Sequence, residues 1–533
     1  MKYFILYTLD ILNEDSVPIV IGGTGSANAE FIDLATYDLS KQEVVTFNSH
    51  FLIDFLRRQQ VLPPKVTEDI FQIYKLANGV KTKYHKLPPK LMIERVFDKY
   101  VTDKEELTKN CLLISDALKS EDKDVRDALL WLHCQLIEIY KRASNELEAN
   151  GEKERYEVVE RSFEQILIKR QYEGIFVDQR LLSNKIDSLA EELNRKNKVL
   201  RFDYGVMDPK SYVEIQKVLA DNRFKYLSRL TVVEKKTFWN LVKTGAETDE
   251  FLKILYEAYR LSFDLNGLIK IIPDPHSKIY PVFDCCGTIT SRTQVRMPHI
   301  QHMKKSSRDI VEAKKGYSLI YADYSQFEPG ILGSLADDPD LIDYYNNKDI
   351  YAALSADLFG KKDQRSLCKI VFLCFMYGMS PTGLENLLQD FFKFNDASKR
   401  ESIAKFFKKF SRLTIYKQEL ETITAREKRI GSLMGNYRYT QVKTSRLPNK
   451  VKRWILTQRV QGTASLILKQ AVIECCKDEN IEFLIPMHDA ALFQVPTQVA
   501  ELKKSVIRAE FEKSMKYRCP KLTPKVSFKT FTE

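Results

Sequence analysis

Hydrophobic and polar positions along the chain set out three stretches. Near the N-terminus, the apolar runs Phe4–Leu9, Ile19–Ile21 and Val44–Phe47 read as short buried strands, and Phe51–Arg58 and Asp127–Lys141 carry apolar positions at helical spacing. Residues 1–145 therefore read as a separate α/β unit. Residues 142–156 are polar, rich in charge and contain Gly151, the composition of a linker. An amphipathic helix over Glu160–Leu167 follows, then long helical patterns at Leu181–Leu200 and Glu250–Leu261. The third stretch opens with the apolar run Tyr317–Ala322, a buried strand, with Asp323, Ser325 and Glu328 at or just beyond its end. Downstream, Arg365, Lys369, Leu373 and Tyr377 recur at intervals of four and so share one stripe of a helix. Ile481–Asp489 and Ala490–Val495 read as a hairpin with His488-Asp489 at its turn.

These patterns carry chemistry. A carboxylate at the end of a buried strand is unfavourable unless something positive meets it. A helix stripe of two cations followed by an aromatic ring suits a polyanion bearing a planar base, such as a nucleoside triphosphate. Asp323 and Asp489, both at strand ends, form a carboxylate pair of the kind that holds Mg²⁺ together with substrate phosphates. Two ions in such a site activate the attacking oxygen and stabilise the leaving one.

Composition narrows the setting. A chain of 533 residues exceeds a single core, so several domains are expected. It has no apolar run of 18 residues, and the N-terminal run lacks a small-residue cleavage site and reads as a first strand. The expectation is a cytoplasmic protein without a signal peptide or membrane span. Nine cysteines without a C-x-x-C pair argue against a zinc site or a disulfide framework. Net charge is +11, and it is concentrated: Lys399–Arg453 holds 16 Lys plus Arg against four Asp plus Glu. A field of that sign suits a nucleic-acid backbone.

Asp323-Tyr-Ser-Gln-Phe-Glu328 resembles motif A of family A DNA polymerases, the helix carrying Arg365, Lys369, Tyr377 and Gly378 resembles motif B, and Met487-His488-Asp489 resembles motif C. Thr288-Ile-Thr-Ser-Arg292 is similar to T-x-T-G-R, Pro298-His-Ile-Gln301 to P-N-L-Q, and Gln461-Gly-Thr-Ala464 to Q-G-T-A. The motifs stand in the family's order over roughly Glu157 to the C-terminus.

The resemblance implies a multidomain α/β and α+β fold: an N-terminal RNase H-like α/β domain, then a right hand with thumb at about 180–270, palm at about 271–340 and 440–533, and fingers at about 341–439. It implies template-directed addition of dNTPs to a primer 3′ end by two-metal phosphoryl transfer, with Mg²⁺, or Mn²⁺ as substitute, on Asp323 and Asp489. The dNTP would meet Arg365, Lys369, Tyr377, Glu328 and Gln326. Lys369 would also protonate the leaving pyrophosphate, and Glu328 would block the ribose 2′-hydroxyl and bond Tyr377. Arg292, Gln301, Gln461, His488 and Arg438 would contact primer–template DNA. Replication accessory proteins are further expected partners.

Residues 1–145 resemble the family's 3′–5′ exonuclease domain in order and length, but not in motif. Asp10 is followed by Ile11 and Leu12 rather than D-x-E, Leu52 stands where the second motif has Asp, and no Tyr lies four residues before Asp124 or Asp127. A degenerate domain without proofreading is therefore expected; Asp33, Asp54 and Asp69 are the other acids that could serve. Further departures are Ser291 for Gly, Tyr351 for His, Leu373 for an aromatic, Glu328-Pro329-Gly330 for E-L-R, and Ala490 for the Glu of motif C. They imply a divergent member, of phage or viral type. The competing readings are a single-subunit RNA polymerase, against which Glu328 argues, and a catalytically inactive DNA-binding scaffold, of which Ala490 would be a sign.

Overall fold

The computed structural model describes residues 2–8, 18–79, 89–117, 121–220, 235–360, 364–379, 383–384, 397–442, 444 and 446–532. Asp10 lies outside them.

The N-terminal unit is built on a five-stranded sheet of order β3-β2-β1-β4-β5. Its strands are β1 (Lys2–Tyr7), β2 (Val20–Gly23), β3 (Glu30–Ile32), β4 (Glu43–Thr46) and β5 (Val66–Asp69). β1 runs antiparallel to β2 and parallel to β4, and β4 runs parallel to β5. β1 is buried at every position after Lys2, which is why its sequence reads as a continuous apolar run. The helices are α1 (Ser49–Arg58), α2 (Ile70–Asn78), α3 (Pro89–Asp98), α4 (Lys104–Ser115) and α5 (Asp122–Ala149), and α5 packs on β1 and β2.

Residues 142–156 are not a linker. α5 continues through Ala149, a short turn α6 (Lys153–Arg155) leads into a π-helical turn at Tyr156–Glu160, and α7 (Arg161–Glu173) follows directly. Two of the charges that suggested solvation, Glu152 and Arg155, are spent on buried partners. Glu152 accepts from the backbone N–H groups of Asn436 and Tyr437, both at 2.8 Å. Arg155, fully buried, meets Glu160 at 2.7 Å and donates to Ser432 Oγ at 2.9 Å. A second buried pair, Lys75–Asp284 at 2.6 Å, joins α2 to the C-terminal part, and Arg296 meets the same aspartate at 2.7 Å.

After β6 (Ile175–Val177), the helices α8 (Gln179–Tyr204), α9 (Tyr212–Leu219), α10 (Lys235–Gly245) and α11 (Glu250–Ile269) enclose a small core of their own around Leu200, Phe238, Leu252 and Leu255. Short strands β7 (Lys278–Ile279), β8 (Val282–Asp284), β9 (Gln294–Met297) and β10 (Val311–Glu312) lead to β11 (Tyr317–Tyr324). β11 lies inside a four-stranded antiparallel sheet of order β14-β15-β11-β16. The helices α12 (Phe327–Ala336), α13 (Pro339–Asn347), α14 (Ile350–Phe359), α15 (Arg365–Met376), α16 (Ala397–Lys408) and α17 (Ser411–Glu427) follow, with Phe372, Phe406 and Phe410 among their buried rings. The chain passes through β12 (Arg429–Ile430), β13 (Arg438–Tyr439) and the long α18 (Asn449–Cys475). It ends with β14 (Glu482–Pro486), β15 (Ala490–Pro496), α19 (Ala500–Arg518) and β16 (Val526–Lys529). This is the multidomain α/β and α+β fold expected. All nine cysteines are free thiols. Among the described residues no helix is long and apolar enough to cross a membrane.

Candidate active site

β11 and β15 are neighbours with Asp323 opposite Ala490, and the N–H of Tyr324 donates to the carbonyl of Asp489 at 3.1 Å. That register brings Asp323 and Asp489 to the same end of the sheet, as the strand-and-hairpin pattern implied. Lys529 on β16 is 3.8 Å from Asp323, too far for a tight pair. Burial raises the Asp323 carboxyl above its ordinary range, and Lys529, Lys369 and Lys305 offset part of that rise. Asp489 is pushed up to about 6, by burial first and then by the charges of Glu328 and Asp323. Its side chain is 35% exposed, yet Oδ1 is closed off, has no hydrogen-bond donor, and lies 3.5 Å from the Arg292 guanidinium. Two strand-end carboxylates whose burial raises their affinity for protons, one with an orphaned oxygen, form a donor set suited to a hard divalent cation.

Beside this pair Glu328 is nearly buried. Its carboxylate accepts from the hydroxyl of Tyr377 on one oxygen and from the Arg292 guanidinium on the other. Gln461 hydrogen-bonds the same Tyr377. Glu328 can hold this place because it lies in the first turn of α12, where backbone N–H groups need no intrahelical partner, so the following Pro329 is tolerated. Gly330 next to it is required by packing: a Cβ there would stand 2.5 Å from the Tyr345 ring.

The stripe on α15 faces the carboxylates. Arg365 and Lys369 are exposed, and Lys369 lies close enough to Asp323 and Asp489 to counter the rise in both carboxyls. Arg365 donates to Asp349 at 2.8 and 3.0 Å, and Asp349 also caps α14 through the N–H groups of Tyr351 and Ala352. Tyr351, which replaces the family's His, is buried under the Arg365 guanidinium. His488 is exposed at the hairpin turn, and partial desolvation and then Arg292 push its imidazole down. Arg438 stacks over Trp454, 4.3 Å from the ring centre.

Two residues expected to contact ligands are placed otherwise. Gln301 is 4% exposed, its amide N–H₂ donates to the carbonyls of Thr293 and Pro486, and its oxygen accepts from Val295 N–H. It holds β9 against the motif C hairpin. Gln326, at φ +51°, accepts from the N–H of Ile350 and so ties the start of α12 to α14. Gln301 commits its whole amide and Gln326 its amide oxygen to backbone groups, because a side chain's spacing in sequence does not show which way the turn around it points. The Glu328–Tyr377 bond is the one the resemblance implied; what sequence reasoning missed is the Arg292 guanidinium on the other oxygen of Glu328, which joins three motifs into one bridge.

The sequence profile of DNA polymerase family A matches residues 180–530. The chain is 25% identical over 405 residues to DNA polymerase I of Caldicellulosiruptor bescii, covering 68% of this chain and 46% of that protein. It is 22% identical over 504 residues to DNA polymerase I of Helicobacter pylori, covering 90% of this chain and 54% of the relative. The chain thus spans about half the length of these curated relatives. Its fold is similar to that of the POL domain of Pol1 from M. smegmatis, solved in complex with DNA primer–template and dNTP. The TM-score is 0.77 at 18% identity, over 100% of this chain and 95% of that one. With its profile match across about two thirds of the chain, and with motifs A, B and C converging on one carboxylate pair, the chain belongs to DNA polymerase family A.

Proposed function

We propose that the protein is a template-directed DNA polymerase, adding dNTPs to a primer 3′ end and releasing pyrophosphate. The observation that carries this reading is the strand-end pair Asp323 and Asp489, with an orphaned oxygen, faced by the cationic stripe of α15 and flanked by Glu328 and Tyr377. Two divalent cations, Mg²⁺ or Mn²⁺ in its place, would supply activation of the attacking hydroxyl and charge neutralisation at the phosphates, with Asp323 and Asp489 holding them.

The chain's own groups do the positioning. Arg365 exchanges Asp349 for the triphosphate, and Lys369 binds it alongside and gives a proton to the departing pyrophosphate. Tyr377, held by Glu328 and Gln461, forms the wall against the incoming base pair. Glu328 occupies the space a 2′-hydroxyl would need. Arg292, Gln461 and His488 meet the primer end in the minor groove, where acceptors common to all correct pairs report shape rather than sequence. Arg438, Gln301 and Gln326 act less directly, the two glutamines by fixing the backbone around the site. Primer–template DNA and dNTPs are the partners, with replication accessory proteins beyond them, and the reaction belongs in the cytoplasm.

The N-terminal domain reads as a degenerate exonuclease. Leu52 occupies the second-motif position in buried α1. Asp69 is committed to the N–H groups of Asn48, Ser49 and Phe71, Asp54 to Arg57 and Arg58, and Asp33 to its own turn. These commitments are the observations that support a domain without proofreading.

The test is extension of a labelled primer–template by the purified chain with Mg²⁺, supplied with dNTPs, with NTPs, or with neither. Extension by dNTPs alone and an intact primer without nucleotides are expected. Preferred use of NTPs would make the chain an RNA polymerase, and no extension would leave the DNA-binding scaffold.

A pH dependence follows from Asp489. Below its carboxyl value of about 6, protons compete with the cation for the same oxygens. The Mg²⁺ concentration needed for half-maximal extension should therefore rise about tenfold per pH unit there. Folding has the opposite sign: the folded state binds this proton more tightly than the unfolded one. The group's favourable contribution is complete below about pH 4 and is lost as pH rises through 6. Metal-free Asp489→Asn should accordingly melt above the wild type at pH 8. A flat Mg²⁺ requirement between pH 5 and 7 would show that Asp489 does not titrate there.

A further inference from the structure

Arg292 is delivered to the carboxylates by a tight turn. The N–H of Ser291 donates to Thr288 O at 2.9 Å, the N–H of Arg292 to Thr288 Oγ1 at 3.0 Å, and the N–H of Gly287 to Arg292 O at 3.1 Å. Ser291 sits in this turn at φ +60°, the left-handed region that glycine enters freely and a side chain resists. Its side chain is fully buried and has a definite place. Ser291 Oγ donates to Glu160 Oε1 at 3.0 Å and accepts from Lys469 Nζ at 3.1 Å. Lys469 also donates to Glu160 Oε2 at 2.5 Å and to Cys285 O at 2.9 Å. Arg155 meets the same Oε1 of Glu160, at 2.8 Å from Nε and 2.7 Å from Nη2. Ser465 Oγ donates to Ser291 O at 2.6 Å, so the residue is gripped at its hydroxyl and at its carbonyl.

The charges in this cluster are balanced by contact rather than by solvent. Burial works against the Glu160 carboxylate, yet Lys469 and then Arg155 outweigh it and hold it down to about 2. A salt-bridged cluster of this kind is rigid, since breaking any one arm strands a buried charge. Its members come from three places. Glu160 ends the π-helical turn that precedes α7, outside the segment matched by the family profile. Ser465 and Lys469 lie on α18, one and two turns beyond Gln461. Ser291 precedes the arginine that reaches Glu328 and Asp489.

We propose that Ser291, clamped between Glu160 and Lys469, is a positioning residue that fixes the Arg292 guanidinium against the primer terminus. The inference rests on the polymerase reading above. It assigns the left-handed serine a purpose: where a glycine turn would pivot, the hydroxyl locks the turn to a buried ion pair. Fixing Arg292 matters most when the terminal pair is misshapen, because a rigid guanidinium cannot follow displaced acceptors.

The test uses the full chain with Ser291→Ala, which keeps the Cβ and removes the hydroxyl, and Ser291→Gly, which also frees the backbone. Single-turnover extension from matched and mismatched primer ends, dNTP KM, and melting temperature are measured together. For Ser291→Ala, kcat from a matched end should fall about tenfold with dNTP KM within about twofold, and the matched-over-mismatched preference should shrink about tenfold. Ser291→Gly should show the larger loss of preference, and Ser465→Ala a smaller loss in the same direction. A drop in melting temperature with wild-type kcat and preference would reduce the clamp to a structural role and overturn the proposal, as would a Ser291→Gly variant equal to wild type. Fluorescence of 2-aminopurine at the primer terminus, read in the protein–DNA complex without nucleotides, separates this from the polymerase reading. An unchanged signal in Ser291→Ala sinks the clamp even if the wild type extends primers. A changed signal sustains it even if extension itself fails.

Discussion

Asp489→Ala abolishes primer extension, by at least about a thousandfold, while primer–template affinity stays within a few fold of wild type. Asp323→Ala behaves alike. The size follows from the position of each group. Losing an outer partner of a metal ligand typically costs about 10- to 100-fold, and here the ligand itself is removed, at a site with two carboxylates and no third one beside them on the hairpin. Ala490 stands at that third place, buried and in register with Asp323, so nothing in the strand can substitute. Binding is spared because neither aspartate attracts DNA: both are anions facing a polyanion, and Arg365, Lys369 and Arg292 remain. Single-turnover extension and fluorescence anisotropy on the same preparations separate the two quantities. An alanine variant at either position that extends at a tenth of the wild-type rate would remove the carboxylate pair from the centre of the mechanism.

What could be read from sequence divides along the range of the interactions involved. β11, the β14–β15 hairpin and the α15 stripe follow from local periodicity, and the structure has them within a few residues of the expected bounds. The pairing of Asp323 with Asp489 followed because each ends a strand whose partner could be guessed. Residues 142–156 failed because their charges looked solvated; their partners, Asn436, Tyr437 and Ser432, lie about 280 positions away. The same distance effect hid Glu160 and Lys469, each of which alone is an ordinary charged helix residue. Gln301 and Gln326 show a different effect: they hold their motif positions, and they also meet backbone groups that only the folded hairpin and helix starts present. Of the 16 cations between Lys399 and Arg453, several are already paired or covered in the structure, Lys409 with Asp357, Lys452 with Glu421, Arg438 on Trp454 and Lys417 with the carbonyl of Phe375. The net charge of a segment therefore overstates the free charge it offers to DNA.

Glu328→Ala weakens both the rate and the choice of sugar. The Glu328 carboxylate accepts from Tyr377 and from Arg292, and all three groups are largely buried. Hydrogen bonds to a charged group contribute about 1.5–3 kcal/mol each, and the Arg292 guanidinium is left with its longer contact to Asp489 at 3.5 Å. Incorporation of dATP should therefore fall about 10- to 100-fold. Ribonucleotide discrimination should fall by a similar factor, because the vacated space admits a 2′-hydroxyl that the carboxylate excludes. A third consequence distinguishes this variant from simple loosening. Glu328 is one of the charges that raise the Asp489 carboxyl to about 6, so its removal lowers that value and moves the acid limb of the pH–rate profile to lower pH. Glu328→Gln separates the effects, since it keeps the volume that blocks the 2′-hydroxyl but gives up the charge. It should retain most of the discrimination, lose rate, and show the same acid shift. The measurements are dATP and ATP incorporation opposite template thymine across pH 5–8. A Glu328→Ala enzyme that still rejects ATP as strongly as wild type would show that another residue reads the sugar. An unmoved acid limb would show that the electrostatic coupling between Glu328 and Asp489 is not felt in the reaction.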